Sequence, residues 1–200
     1  MAADSYYTIA APTEGLYKEK GSKFLAFALP VRTADEAMKQ VEALRHHYHD
    51  ARHACYAYMV GAARTDFRSN DDGEPPGTAG KPILGQINSA QLSDILIVVV
   101  RYFGGILLGT GGLIRAYKTA AADALSHAQR IERIVERSIT ITFDYAFMSK
   151  VMSLVKAHDL TITDSQQTMH CTMTLRVRLS LCPIVTEQLH RIDGLKITEV

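Results

Sequence analysis

The run Ile95-Leu96-Ile97-Val98-Val99-Val100 sets six aliphatic residues side by side with no polar position to mark an outer face. A strand that shows one face to water alternates apolar and polar residues, so an unbroken β-branched run implies a strand covered on both faces. The run therefore predicts a central strand, 95 to 103, with other elements packed above and below it. It ends at Arg101, far short of the roughly 20 apolar residues a membrane-spanning helix needs, and no membrane partner is expected. The whole chain of 200 residues is 47% apolar, with 22 Lys and Arg against 21 Asp and Glu, which suits one large or two small globular domains. A net charge of +1 supplies little long-range field, which argues against a dedicated DNA binder or a basic membrane-surface protein. The opening residues, Met1-Ala2-Ala3-Asp4-Ser5, have neither the basic flank nor the apolar core of a secretory signal, so a cytoplasmic location is expected. Cys55, Cys171 and Cys182 show no CxxC or CxxH spacing and read as reduced thiols rather than a disulfide or zinc framework.

Around the central strand the pattern divides. Residues 14 to 32 alternate enough to predict a hairpin turning at Gly21-Ser22. Thr33 and Glu36 form a capping box ahead of a helix over 34 to 48. His53 to Gly61 reads as a buried strand, and residues 62 to 80, crowded with Asp, Gly, Pro, Ser, Thr and Asn, as one long loop. Loops beyond about 12 to 15 residues are uncommon in compact domains and are often functional. A short helix is expected over 83 to 91, and a longer one after the glycines that follow Phe103, with Thr110 as its cap. From 138 the order becomes strand 138 to 143, helix 145 to 157, strands 160 to 165 and 169 to 179, helix 183 to 191, strand 195 to 199. That βαββαβ order predicts a ferredoxin-like unit. The fold class is α+β, with two domains, 1–132 and 137–200, joined near residues 130 to 137.

Two segments carry candidate chemistry. Asp71-Asp72-Gly73-Glu74-Pro75-Pro76-Gly77-Thr78-Ala79-Gly80-Lys81-Pro82 concentrates carboxylates, a hydroxyl and an ammonium, which could hold a divalent metal, position an acid and a base, or simply make tight turns. It is no Walker A loop, since Pro75 and Pro82 stand where that motif needs Gly and Ser or Thr. Arg101-Tyr102-Phe103-Gly104-Gly105 leads through Gly109-Thr110-Gly111-Gly112 into a helix, and free N–H groups at a helix start attract anions. The dinucleotide fingerprint fails there because Ile114 occupies its third small position. The histidines 46, 47, 49 and 53 straddle a helix end and a strand start, so their spacing gives no shared metal-binding face, and no metal site is expected.

The blocks from Asp71 to Leu84 and from Val98 to Tyr117, with Ala51-Arg52-His53-Ala54-Cys55, resemble the signature of the YigZ/IMPACT family. The resemblance implies an amino-terminal domain with a ribosomal-protein-like α/β fold similar to domain IV of elongation factor G, and a tail similar to domain V of that factor. It implies a link to translation or RNA but no established reaction. The translational role of the eukaryotic members runs through an additional amino-terminal domain not evident in this sequence and is not carried over. Position by position, the family motif falls on His53, Asp71, Asp72, Glu74, Gly77, Thr78, Gly80, Lys81, Pro82, Arg101, Tyr102, Gly104, Gly105, Gly109, Gly112 and Tyr117. Ala54 replaces a second histidine of some relatives, which weakens a two-histidine metal site.

Three functions remain open at this point: a translation-linked module binding RNA, the ribosome or a translation factor, a protein or enzyme taking a small anionic ligand, and a purely protein-binding adaptor, which would need an exposed apolar patch. No cofactor and no catalytic nucleophile is assigned. The motif blocks are expected to meet in one cleft at strand ends. There Lys81 and Arg101 would supply positive charge beside the N–H groups of Gly111 and Gly112, and Asp72 and Glu74 would bind a metal or pair with those cations. Asp72 is expected to be structural, with Glu74, His53 and Arg101 facing the ligand.

Overall fold

The computed structural model describes residues 4–167 and 170–199 of this mixed α/β chain. Two compact units divide it: Tyr6–Arg133, and the residues from Ile134 onward together with Asp4 and Ser5.

In the first unit, β2 (Thr13–Glu19), β3 (Ser22–Pro30), β4 (His53–Val60), β5 (Asp66–Asn70) and β6 (Ile95–Tyr102) form one sheet in the order β2-β3-β6-β4-β5. All neighbours run antiparallel, and β6 is the middle strand. Because side chains alternate across a strand, β6 feeds two cores. Ile95, Ile97 and Val99 pack with α2 (Gly80–Ser89) and α3 (Gly109–Ser126) on one face. Leu96, Val98 and Val100 pack with α1 (Ala34–His47) on the other. This two-sided burial is why the β6 run carries no polar alternation. The same alternation parts the next two residues: Arg101 continues the α2/α3 row, whereas Tyr102 turns to the α1 side and donates its hydroxyl to Asp50 at 2.8 Å.

Local signals account for the helix ends, with two corrections. Thr33 accepts the Glu36 N–H at 3.1 Å and Glu36 accepts the Arg32 N–H at 2.7 Å, so the box stops α1 from fraying. Thr110 does not cap α3: the helix begins one residue earlier and its cap position, Leu108, offers no side-chain acceptor. Residues 62 to 80 are not one long loop either. Asp66–Asn70 pairs with Tyr56–Val60 as an exposed edge strand, held by backbone hydrogen bonds that a sequence without apolar alternation does not advertise. A further strand, β1 (Ser5–Ile9), pairs with β7 (Arg130–Ile134) in a two-stranded ribbon; neither carries a sequence pattern strong enough to predict it.

The second unit runs β8 (Glu136–Asp144), a 3-10 turn over Tyr145–Phe147, α4 (Met148–Ala157), β9 (Thr161–Gln167), β10 (His170–Arg178), a second such turn over Leu179–Leu181, α5 (Cys182–His190) and β11 (Lys196–Glu199). Its sheet order is β11-β8-β10-β9. The expected strand start at Met169 lies outside the described residues. Ile139, Ile141, Phe143, Leu175 and Val177 meet Val151, Val185 and Leu189 of the helices in its core, and Pro183 occupies the first turn of α5, where its missing N–H has no helical partner to lose. No described helix is long and apolar enough to cross a membrane.

Small residues let α3 lie close on the sheet. A Cβ at Gly15 of β2 would stand 2.3 Å from the backbone nitrogen of Ala124, a distance that neither backbone can relieve without moving. Gly15→Ala is therefore expected to lower stability by about 3 kcal/mol, measured as a lower urea midpoint with an unchanged slope.

Candidate functional site

The segment 71–78 is a scaffold built by its own carboxylates. Asp71 accepts the N–H groups of Gly77 at 2.8 Å, Ala79 at 3.0 Å and Gly80 at 2.8 Å, so it closes the loop and caps α2 from nine residues upstream. Burial pushes the Asp71 carboxyl up, but the N–H groups of Gly77, Gly80 and Ala79, aided by the Lys81 charge, outweigh that and hold it below the ordinary carboxylate range. Asp72 accepts the Ala54 N–H at 2.7 Å and pairs with the Arg45 guanidinium. It thereby ties the loop to β4 and α1. Thr78 donates to the Pro75 carbonyl at 2.7 Å and is buried; its hydroxyl is occupied within the turn.

With both ends held, Glu74 is carried into the interior, where its side chain is 3% exposed. Its Oε1 accepts Arg101 Nη1 at 2.6 Å and the Tyr117 hydroxyl at 2.8 Å. His53 Nε2 lies 3.9 Å from the same oxygen. His53 and Arg101 are register partners on β4 and β6, and that register brings the sequence blocks together. The His53 ring donates Nδ1–H to the Asp72 carbonyl at 2.7 Å, since a carbonyl can only accept, and this fixes the proton of the neutral ring on Nδ1 and leaves Nε2 turned toward Glu74. Behind them the Cys55 thiol lies 3.0 Å from the Asp71 carbonyl and 3.4 Å from the Tyr117 hydroxyl. Burial pushes both the Cys55 thiol and the Tyr117 phenol up, so neither ionises to serve as a nucleophile at neutral pH.

In front of this network a cleft of about 320 Å³ opens between the sheet and α3. Its polar side is made by Arg52, His53, Glu74, Arg101 and Thr110, and its apolar side by Pro75, Phe103, Leu107, Leu108 and Leu113. Arg101 stands 5.5 Å from the Phe24 ring centre and 5.6 Å from that of Phe103, which also faces Arg52 at 5.7 Å. Among the described residues the Arg101 Nε is buried without a hydrogen-bond partner. The first turn of α3 contains no acidic residue, and Leu108 at its cap position makes no side-chain hydrogen bond, so the positive end of the helix dipole lies on the cleft side with Gly109 and Thr110.

The expected site residues are thus sorted. His53, Glu74 and Arg101 converge with Gly109 and Thr110 on the cleft, and Tyr117 supports it from behind. Asp71, Asp72 and Thr78 hold the loop. Lys81 is exposed on α2 and does not line the cleft, and the partner of Asp72 is Arg45 rather than Lys81 or Arg101. Tyr102 points to the opposite face of the sheet. Gly104 serves a close approach: a Cβ there would fall 1.9 Å from the Gly21 carbonyl carbon. Gly105, Gly111 and Gly112 flank the cleft residues in sequence without lining it. Sequence reasoning offers Arg52 only as one cation of a general basic surface with Arg45, Arg101, Arg115 and Lys118, not as a cleft residue, and it leaves out the apolar wall. Arg52 stood in a matching block, but nothing in its spacing said that the bend before β4 would turn it to the same side as Arg101. Among the described residues no group of three or more His, Cys, Asp or Glu could hold a metal ion.

The Impact N-terminal domain matches residues 20–125, a span that contains the loop, both strands of the site and all but the last residue of α3. The chain belongs to the IMPACT family. It is 37% identical over 147 residues to IMPACT family member YvyE of Bacillus subtilis, covering 74% of this chain and 68% of that one. It is 35% identical over 164 residues to IMPACT family member YigZ of Escherichia coli, covering 81% and 80%. A crystal structure of a hypothetical protein is similar along 99% of this chain and 98% of its own, with a TM-score of 0.75 and 30% identity. The residues matched by the Impact N-terminal domain therefore include, in this chain, the loop scaffold and the cleft it faces.

Two measurements test this reading of the IMPACT loop. Glu74→Ala leaves the Arg101 charge buried and unpaired and should cost about 3 to 5 kcal/mol, whereas Tyr117→Phe, which removes one hydrogen bond to the same oxygen, should cost about 1 kcal/mol. Equal losses in urea titrations would show that the ion pair is not the stronger tie. For Asp71 the folded carboxyl titrates below its ordinary value of 3.8, so its charge contributes stability that is present above that pH and is lost as the pH falls through the depressed folded value. The stability gap between wild type and Asp71→Asn should stay constant from neutral pH to about pH 5 and close only below the ordinary carboxylate range.

Proposed function

We propose that this IMPACT-family protein is a ligand-binding protein whose cleft takes a small anionic group. The observation that carries the proposal is the convergence of Arg52, Arg101 and the uncapped start of α3 on one small cavity. Each supplies positive charge, and the helix start supplies directional N–H donors as well. Glu74 neutralises part of that charge and fixes the Arg101 guanidinium at 2.6 Å, so the site is pre-organised rather than assembled on binding. At about 320 Å³ the cleft lies at the small end of ligand pockets, which favours a compact ligand over a dinucleotide. Thr110 and His53 both line the cleft, but among the described residues the His53 ring bonds to the Asp72 carbonyl rather than to that hydroxyl, so the proposal is binding without an assigned reaction.

The second reading is a translation-linked regulator that binds RNA, the ribosome or a translation factor, and family membership favours it. Direct contact with nucleic-acid phosphates draws less support. Of the cations Arg45, Arg52, Arg101, Arg115 and Lys118, three are paired, Arg45 with Asp72, Arg101 with Glu74 and Arg115 with Glu19, which weakens a salt-dependent contact through that set. The finer fold reading belongs to the same proposal: an IMPACT-type domain over 1–132 similar to domain IV of elongation factor G, and a ferredoxin-like domain over 137–200. The βαββαβ order and the β11-β8-β10-β9 sheet support the latter.

Native mass spectrometry of freshly purified full-length protein, with a thermal-shift panel of inorganic and organic anions, tests the proposal. Wild type should retain or be stabilised by at least one small anion, and Arg52→Glu, at an exposed position, should lose that response while remaining folded. Absence of any anion response in wild type, together with salt-sensitive co-sedimentation with ribosomes, would overturn it in favour of the second reading.

A further inference from the structure

The structure assigns the cleft to a monocarboxylate with an apolar body, its carboxylate held by Arg52, Arg101 and the start of α3, and its body on the Phe103–Leu108 wall. This inference rests on the anion-binding reading and names the class of anion.

Charge comes first. Two guanidinium groups, Arg52 and Arg101, and one carboxylate, Glu74, line the cleft, and the balance of these three is a single positive charge. A monoanion completes that balance. A phosphate ester, dianionic near neutral pH, would leave an excess negative charge beside the buried Glu74 carboxylate, at a distance where repulsion in a poorly hydrated site is strong. Lys81, which could have offset a second negative charge, lies elsewhere.

The wall comes second. Phe103, Leu107, Leu108, Leu113 and Pro75 make the remainder of the lining, and Ile106 and Leu107 are 55% and 81% exposed beside it. Large apolar side chains left in water next to a cavity are the signature of a surface that gains from an apolar occupant. A hydrated inorganic anion would leave that wall without a contact.

Donor inventory comes third. Arg101 is 5% exposed; its Nη1 is bonded to Glu74, and its Nε is buried with no hydrogen-bond acceptor among the described residues. A buried guanidinium with unused donors is costly unless something accepts from it. At the start of α3, Gly109 and Thr110 line the cleft, and Leu108 at the cap position makes no side-chain hydrogen bond. A planar carboxylate, with two oxygens and four lone-pair directions, matches a guanidinium edge and a helix start together.

Isothermal titration of the full chain supplies the test, with 3-phenylpropionate and octanoate as probes. Acetate has the charge without the body, 3-phenylpropanamide the body without the charge, and inorganic phosphate and AMP the competing anion class. Both probes should bind saturably and at least about tenfold tighter than any of these four, the difference expected from one charge-assisted hydrogen bond or a few buried methylenes. Arg52→Gln and Leu107→Asp, both at exposed positions and checked for folding by circular dichroism, should each weaken 3-phenylpropionate about tenfold. A pentapeptide ending in phenylalanine identifies the source: tighter binding than 3-phenylpropionate points to a chain end, equal or weaker binding to a free acid. Phosphate or AMP binding as tightly as the probes would overturn the monocarboxylate assignment and leave the anion reading standing. Silence from every anion would overturn both, and unchanged probe affinity in both variants would move the site away from this cleft.

Discussion

The contact between Glu74 and Arg101 decides how the functional end of this protein is built. Both side chains are nearly sealed from water and meet at 2.6 Å, so each makes the burial of the other tolerable. Two lone charges in that position would each carry a desolvation cost of several kcal/mol, and their attraction in a low-dielectric setting offsets it only with good geometry and further hydrogen bonds. Tyr117 provides one such bond at 2.8 Å. The pair reaches from a loop to the end of the central strand, and Tyr117 brings α3 into the same contact. One carboxylate oxygen thus joins three elements that are distant in the chain.

The contact works because the loop around Glu74 is already held. Asp71 and Asp72 spend their oxygens on backbone N–H groups and on Arg45, which leaves the loop little freedom and points Glu74 inward. Three acidic residues close in sequence therefore do three different things, and their roles follow from which donors lie within reach, not from residue type. On the strand side, the antiparallel register between β4 and β6 sets His53 opposite Arg101. A slip of one residue in that pairing would set His53 and Arg101 on opposite faces of the sheet. The cleft is accordingly as rigid as the sheet that carries it, the condition under which an incompletely satisfied guanidinium can be kept ready for a ligand.

Much of this was readable before any coordinates. The β6 run announced a strand covered on both faces, the Thr33–Glu36 box announced α1, and the two glycine- and proline-rich blocks marked where chemistry would gather. What escaped notice had weak local signals. The β5 strand is polar because it is an exposed edge, and β1 and β7 are short segments that find each other across most of a domain. Thr110 looks like a cap because hydroxyl residues favour that position, but α3 starts at Gly109 and its cap position is Leu108, which has no side-chain acceptor. Lys81 looked like a companion of Arg101 because it follows a glycine in a charged loop, yet the entry into α2 turns it outward.

The sequence by itself determined the elements whose stabilisation is local or periodic: the buried central strand, the capped helix, the βαββαβ order of the second unit and the family blocks. It also determined that near-neutral charge leaves only local patches to act. Tertiary structure alone decided partnership. Asp72 could have met Lys81, Arg101 or Arg45, and only the path of α1 past the loop selected Arg45. Arg52 and Leu107 are 55 positions apart, and nothing local records that they share a cleft. A carboxylate or a guanidinium carries its charge in the sequence, but what it neutralises depends on distance and burial, and those exist only once the chain has closed on itself.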